Sequence, residues 1–320
     1  MNSVETAIRE TAARLLGEGR VALVLGYEAG SVPFRTAPAF VERPEDAARL
    51  VWGPFCTNNL AVYLPKLKGA GRIAIVAKGC DARSTVTLIQ EHQIPREQVV
   101  IIGVHCGGMV DVDRLAPDGS LAGIAIATEA DGRLTVESGD GRRTLAVNDL
   151  LQERCRLCEY RTPPVADLLV GEPSSRSASA DPFAVVAEME RRPAAERQAF
   201  WRAQVERCLR CYACREACPA CYCRTCFVDK AAPRWLSKAS TADDNWMFHA
   251  VRAFHLAGRC VECGECERVC PMEIPISRLN RMLDREVRER FGYVAGLDAE
   301  AVPPLGTFLP DDPDPGGHTG

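Results

Sequence analysis

The sequence predicts an α/β domain with a mostly parallel sheet at the N-terminus, followed by a helical, cysteine-rich domain. Three observations predict it. Apolar runs at 21–27, 72–77 and 98–104 alternate with helix-forming segments, the pattern of strands buried on both faces. The spacing Cys-x2-Cys-x2-Cys-x3-Cys-Pro occurs twice, at 208–219 and 260–271. The 41 residues between Cys218 and Cys260 read as helical. A length of 320 residues fits about two domains.

Asn2 and Glu5 form a candidate capping box for an amphipathic helix carrying Val4, Ile8, Ala12 and Leu15. The strand at 21–27 leads into a proline-rich loop, and Pro44-Glu45-Asp46 opens a helix. Residues 54–67 and 84–92 read as further helices. Segments 132–138 and 141–147 predict a hairpin turning at Gly139-Asp140-Gly141. Residues 171–182 have linker composition. Residues 183–207 are helical, with Pro193 as a break or a new start. A helix over 243–257 carries Met247, Ala250, Val251 and Phe254 on one face. A helix from Pro275 has an apolar stripe of Ile276, Leu279, Leu283 and Val287. Trp201, Trp235 and Trp246 read as packing aromatics around the cysteine-rich region. The resulting division is 1–172, an α/β domain; 173–199, a linker and helix; 200–295, the cysteine-rich domain; and 296–320, a disordered tail.

Net charge is −4 with scattered arginines, which excludes a phosphate-tracking surface and hence a nucleic-acid partner. No apolar run approaches the roughly 20 residues of a membrane span. The N-terminus lacks the charged and apolar regions of a signal peptide. The expectation is a cytoplasmic protein. In a reducing compartment, sixteen cysteines at tight spacings are metal ligands or redox groups rather than disulfides.

The repeated motif has the spacing of bacterial two-cluster ferredoxins. Two-residue spacers let three thiolates converge on three irons of one 4Fe-4S cubane, and the fourth cysteine reaches the other cubane. One cluster then takes Cys208, Cys211, Cys214 and Cys270, and the other takes Cys260, Cys263, Cys266 and Cys218. Zinc is the competing metal, but structural zinc sites favour paired CxxC motifs. The helical insert is too long for a compact β-type ferredoxin. The region resembles the α-helical dicluster ferredoxin module of fumarate reductase and heterodisulfide reductase subunits.

Cys80 follows the second strand and Cys106 the third, so a parallel sheet sets both at its carboxyl edge. With Cys155-x2-Cys158 they could hold a third 4Fe-4S cluster. Beside Cys80, Lys78, Asp81 and Arg83 are candidates for binding an anionic cofactor or substrate; the alternative is a helix N-terminus with solvated charges. Cys221, Cys223 and Cys226 have two open readings. They form a fourth metal site with a ligand such as Cys56, or they are redox-silent neighbours of the first cluster.

Lys78-Gly79-Cys80-Asp81, Gly103-Val104-His105-Cys106 and Cys155-x2-Cys158 followed by Ala166-Asp167 and Gly171 carry a family resemblance. Over about residues 20–172 the chain resembles the beta-subunit family of coenzyme F420 hydrogenases and dehydrogenases. The resemblance implies an α/β domain with one 4Fe-4S cluster and FAD, serving hydrogenase, formate dehydrogenase or heterodisulfide-reductase-like complexes of anaerobic metabolism. The family's glycine-rich N-terminal segment is shortened here to Gly26-Tyr-Glu-Ala-Gly30-Ser31, and no GxGxxG or P-loop occurs.

Three function classes follow. The first is an iron–sulfur electron-transfer subunit relaying single electrons between a catalytic oxidoreductase subunit and a second electron carrier. The second is a flavin-dependent oxidoreductase with its own active site on the α/β domain. The third is a zinc-binding interaction protein.

Overall fold

The computed structural model describes residues 3–32, 34–115, 124–130, 132–138, 141–173 and 181–307. Its first region runs α1 (Ser3–Gly17), β1 (Leu23–Ala29), β2 (Thr36–Val41), β3 (Ile73–Ala77), α2 (Gly79–Gln90) and β4 (Val99–Val104). A three-stranded antiparallel meander of β5 (Ile124–Ala130), β6 (Arg133–Ser138) and β7 (Gly141–Ala146) follows, then β8 (Leu168–Val170). The main sheet has the order β2-β1-β3-β4-β8, antiparallel only between β1 and β2.

Strands β3 and β4 are buried at every residue, as their Val/Ile/Ala runs, interrupted only by Gly103, require of central strands covered on both faces. On one face α1 packs Ile8, Ala12 and Leu15 with Val24, Ala74 and Ile102. On the other, Leu60, Leu64 and Leu88 cover Leu25, Ile75 and Ile101.

The expected proline-rich loop after β1 contains β2. Pro38 breaks the strand signal in the sequence, but β2 is an edge strand, where a missing N–H is tolerated. The helix expected over 54–67 shrinks to a 3-10 helix at Leu60–Leu67, started by the Asn59 side chain accepting from the Ala61 amide. The expected hairpin is present as β6 and β7, and residues 139 and 140 at its turn lie outside the described residues.

The second region contains α3 (Ala184–Glu190), α4 (Ala194–Glu206), α5 (Ala242–His255) and α6 (Ile276–Phe291). Pro193 separates α3 from α4. Helix α6 buries Ile276, Leu279 and Val287 of its expected stripe, while Leu283 is only half-buried. Helix α5 does the opposite of its apolar pattern. Its buried face is Asn245, Phe248, His249, Arg252 and Ala253, while Met247 and Phe254 are 43% and 64% exposed. Trp235 and Trp246 are also exposed. Among the described residues, no helix is long and apolar enough to cross a membrane.

Buried side chains of the first region reach into the second. Arg83 on α2 donates to the carbonyls of Ala295 (2.9 Å) and Val261 (3.2 Å) and lies over the Tyr160 ring. Arg154 spans Thr57 O (3.0 Å), Glu265 (2.9 Å) and the Cys263 carbonyl. Arg259 pairs with Glu91 and Tyr222, and Arg288 with Glu159.

The tail expected to be disordered from 296 is ordered at its start. The Gln90 amide donates to the carbonyls of Asp298 (2.6 Å) and Ala301 (3.0 Å). Residues 174–180 of the expected linker and 308–320 of the tail lie outside the described residues.

Two glycines test this packing. Gly296 has φ +75°, and a Cβ there would run into the Arg83 backbone. A Cβ on Gly79 would meet the Tyr160 carbonyl. Gly296→Ala and Gly79→Ala should each cost about 1–3 kcal/mol by forced backbone displacement. Chemical denaturation should report both midpoints lowered; a parental midpoint for Gly296→Ala would mean the 292–301 segment is not docked on α2.

Candidate metal centres

The two cysteine repeats fold alike. In each, the second and fourth residues after the first cysteine are left-handed: Arg210 and Tyr212 in one copy, Glu262 and Gly264 in the other. Three of these four carry side chains, so the conformation costs on the order of 1 kcal/mol at each. That curl turns amides onto sulfur: Arg210 N–H donates to Cys208 Sγ (3.3 Å) and Glu262 N–H to Cys260 Sγ (3.4 Å). A single helical turn follows in each copy, at Ala213–Glu216 and Glu265–Arg268.

The copies exchange their last cysteine. One small cavity is lined by Cys208, Cys211, Cys214 and Cys270, with Phe248, Ile274 and Ile276 as apolar walls. A second is lined by Cys218, Cys260, Cys263 and Cys266. These are the two quartets expected from the spacing. Each receives a side-chain donor: His249 Nε2 lies 3.4 Å from Cys208 Sγ, and Asn280 Nδ2 lies 3.7 Å from Cys266 Sγ. Burial and the neighbouring Arg252 pull the His249 imidazole down to about 4, so at neutral pH it is uncharged and can donate a single N–H.

A third cavity, at the carboxyl edge of β3 and β4, is lined by Cys80, Cys106, Cys155 and Cys158. Here too amides face sulfur: Gly108 N–H to Cys106 Sγ (3.4 Å) and Met109 N–H to Cys155 Sγ (3.3 Å). Cys263 lines this cavity as well as the second, so the two share a wall. Cys214 of the first quartet and Cys266 of the second share one buried cluster with Phe248.

Burial pushes the Cys106 thiol up to about 12, and Cys214 and Cys263 up to about 11. Such groups stay protonated unless a cation replaces the proton, which is how thiolate sites couple metal uptake to proton release. Among the described residues, no three His, Cys, Asp or Glu side chains close around a point that a single ion could occupy. Four thiols around a cavity, with amides turned onto sulfur, fit the donor set of a multi-iron group, in which each thiolate would bind a different iron.

The remaining candidates stand elsewhere. Lys78 and Asp81 form a buried ion pair (2.8 Å), with Lys78 also donating to Asn58 O (2.8 Å) and Asp81 accepting from Tyr27. Burial alone would lower the Lys78 amine, but Asp81 and Cys80 outweigh it and hold it above its ordinary value. Neither charge is solvated, and both are spent within the protein, as are two nitrogens of Arg83. Cys56 is buried beside Lys78 and Asp81 and bonds to Val51 O (3.8 Å). Cys221 lies against Cys218 and Arg252. Cys223 is exposed, and Cys226 faces Arg215. Cys56 thus keeps different company from the other three.

Arg154, His249, Arg252 and Asn280 line or flank the cavities without belonging to any motif. The signal for two of them was positional: Asn245, His249 and Arg252 recur on one face of α5, and a polar face on a helix between two cysteine runs points inward.

Residues 70–191 match the family model that describes the C-terminal part of the coenzyme F420 hydrogenase/dehydrogenase beta subunit. Residues 204–274 match the 4Fe-4S dicluster domain. The F420-dependent formate dehydrogenase subunit beta of Methanocaldococcus jannaschii is 24% identical, with 91% of each chain covered. The F420-dependent formate dehydrogenase 1 subunit beta of Methanococcus maripaludis is 28% identical, with 92% of each covered. A chain of the F420-reducing [NiFe] hydrogenase complex of Methanosarcina barkeri overlaps 58% of this chain and 72% of its own at 16% identity, with a TM-score of 0.41 that carries no argument. The two family matches fall on the two cysteine-bearing regions, and the chain is an iron–sulfur electron-transfer protein with one segment similar to the coenzyme F420 hydrogenase/dehydrogenase beta subunit and another similar to the 4Fe-4S dicluster domain.

Proposed function

We propose that the chain is the relay subunit of an oxidoreductase complex. It carries single electrons between a catalytic partner and a second carrier, through three 4Fe-4S clusters held by the three cysteine quartets. The observation that carries this reading is the contiguity of the quartets: Cys263 is common to the walls of the third and second cavities, and Cys214 of the first shares a buried cluster with Cys266 of the second. A row of adjacent sites running from the sheet edge into the helical domain is what a relay needs. The relatives are named as F420-dependent formate dehydrogenase subunits, which supports formate as the substrate class of the partner and coenzyme F420 as the second carrier. Sixteen unpaired thiols suit a reducing cytoplasm.

A 4Fe-4S cluster supplies reversible one-electron chemistry. The protein's share is to hold it and bias it. Cys80, Cys106, Cys155 and Cys158 anchor one end of the row, and Cys208, Cys211, Cys214 and Cys270 the other. The amides of Arg210, Glu262, Gly108 and Met109 withdraw charge from the thiolates. Phe248, Ile274 and Ile276 wall the inner side of the first quartet, whose Cys211 is exposed.

Iron and acid-labile sulfide in anaerobically purified chain should come to about twelve of each, four per cluster. About eight irons would remove the site at the sheet edge, and zinc without sulfide would overturn the relay altogether. One flavin per chain would instead favour an active site on the α/β domain.

Cysteine variants locate the irons. Cys106→Ser or Cys158→Ser should lose about four irons and one electron paramagnetic resonance signal, leaving the other two. Cys56→Ser and Cys223→Ser should retain about twelve; loss of iron from both would point to a fourth site.

A further inference from the structure

Arg252 is a deeply buried charge in the helical domain. It projects from α5 and is 3% exposed. Its Nη2 donates to the Cys214 carbonyl (3.0 Å), and its Nε is buried without a hydrogen-bond partner. It is within hydrogen-bonding reach of the Cys221 sulfur. The sulfurs that act on it are, in order, Cys218, Cys221, Cys266 and Cys214: two from one quartet, one from the other, and Cys221 from neither. Cys214 and Cys266 themselves share one buried cluster with Phe248 of α5. Two other buried arginines face a carboxylate, Arg154 on Glu265 (2.9 Å) and Arg281 on Glu262 (2.8 Å), whereas Arg83 and Arg210 are spent on backbone carbonyls. Among the described residues Arg252 has no such partner.

A buried guanidinium without an opposite charge is costly, on the order of several kcal/mol. The negative charge that balances it must come from the thiolates and what they bind. We infer that Arg252 is the shared counter-charge of the two ferredoxin-type quartets, set between them so that it raises the reduction potential of both. This rests on the iron–sulfur reading above. Each one-electron reduction adds one negative charge to a quartet, and a fixed cation in a low-dielectric setting stabilises the reduced form. Because one side chain serves both quartets, it moves their potentials together rather than setting them apart. Arg252 is therefore a positioning and tuning residue and not a ligand.

The test uses the full chain, purified anaerobically as wild type, Arg252→Gln and Arg252→Lys. Iron and sulfide are counted, and both dicluster potentials are measured by redox titration followed by electron paramagnetic resonance. Arg252→Gln with full iron should make each reduction about tenfold less favourable, a fall of about 59 mV for a one-electron couple. Arg252→Lys keeps the charge and should recover at least half of that fall in both. Unchanged potentials in Arg252→Gln, or a shift confined to one quartet, would overturn the inference. So would loss of iron from both variants with helix content retained, since a charge-preserving side chain should still load and the arginine would then be a strut. Zinc in the wild-type chain would instead sink the reading beneath it, and Arg252's role with it.

Discussion

A thiol removed from water keeps its proton, and the cost of making it a thiolate governs this protein. Burial raises nearly every cysteine in the three quartets for which a shift is resolved. The surrounding structure is built to lower that cost once a metal takes the proton's place. Left-handed residues at matched positions turn amides onto sulfur, although Arg210, Tyr212 and Glu262 carry Cβ atoms that disfavour the conformation. The strain is paid for by hydrogen bonds that exist only if the loop curls. His249 and Asn280 add neutral donors, one to each ferredoxin-type quartet.

The cations serve a second purpose. Arg154 reaches from the cavity at the sheet edge to Glu265 and the Cys263 carbonyl beside the second quartet. Arg83 reaches from α2 to Ala295 and Val261, two residues before Cys263. The same side chains that bring positive charge to sulfur also bolt the α/β region to the helical one. Fold and site are therefore hard to separate: displacing α2 would disturb the third cavity and the wall it shares with the second.

Much of this was legible in the sequence, and the reasons differ by element. Strands β3 and β4 announce themselves because double-sided burial leaves only apolar residues. The quartets are legible because cubane ligation imposes a spacing, and a parallel sheet must bring Cys80 and Cys106 to one edge. Strand β2 was hidden by Pro38, whose missing donor matters only if the strand is not at an edge. The inward face of α5 was hidden for a chemical reason. Its neighbours are sulfurs and carbonyls, so it buries Asn245, His249 and Arg252 and leaves Met247 and Phe254 outside. Lys78 and Asp81 look like open charges in sequence because a chain cannot reveal that Tyr27 and Asn58, 51 and 20 positions away, will consume them. The first residues after 296 look like a loose tail because it is their own backbone carbonyls that accept from the Gln90 side-chain amide of α2, which leaves no compositional trace.

The crossing of Cys218 and Cys270 reaches beyond ligation. Each cavity borrows a wall from the opposite end of the cysteine-rich region, so the two are interlocked like links of a chain. Cutting the polypeptide anywhere between 218 and 260 and parting the fragments leaves neither enclosure whole. The stretch in between can lengthen or vary in evolution, but the motifs at its ends can only be inherited, or lost, as a couple.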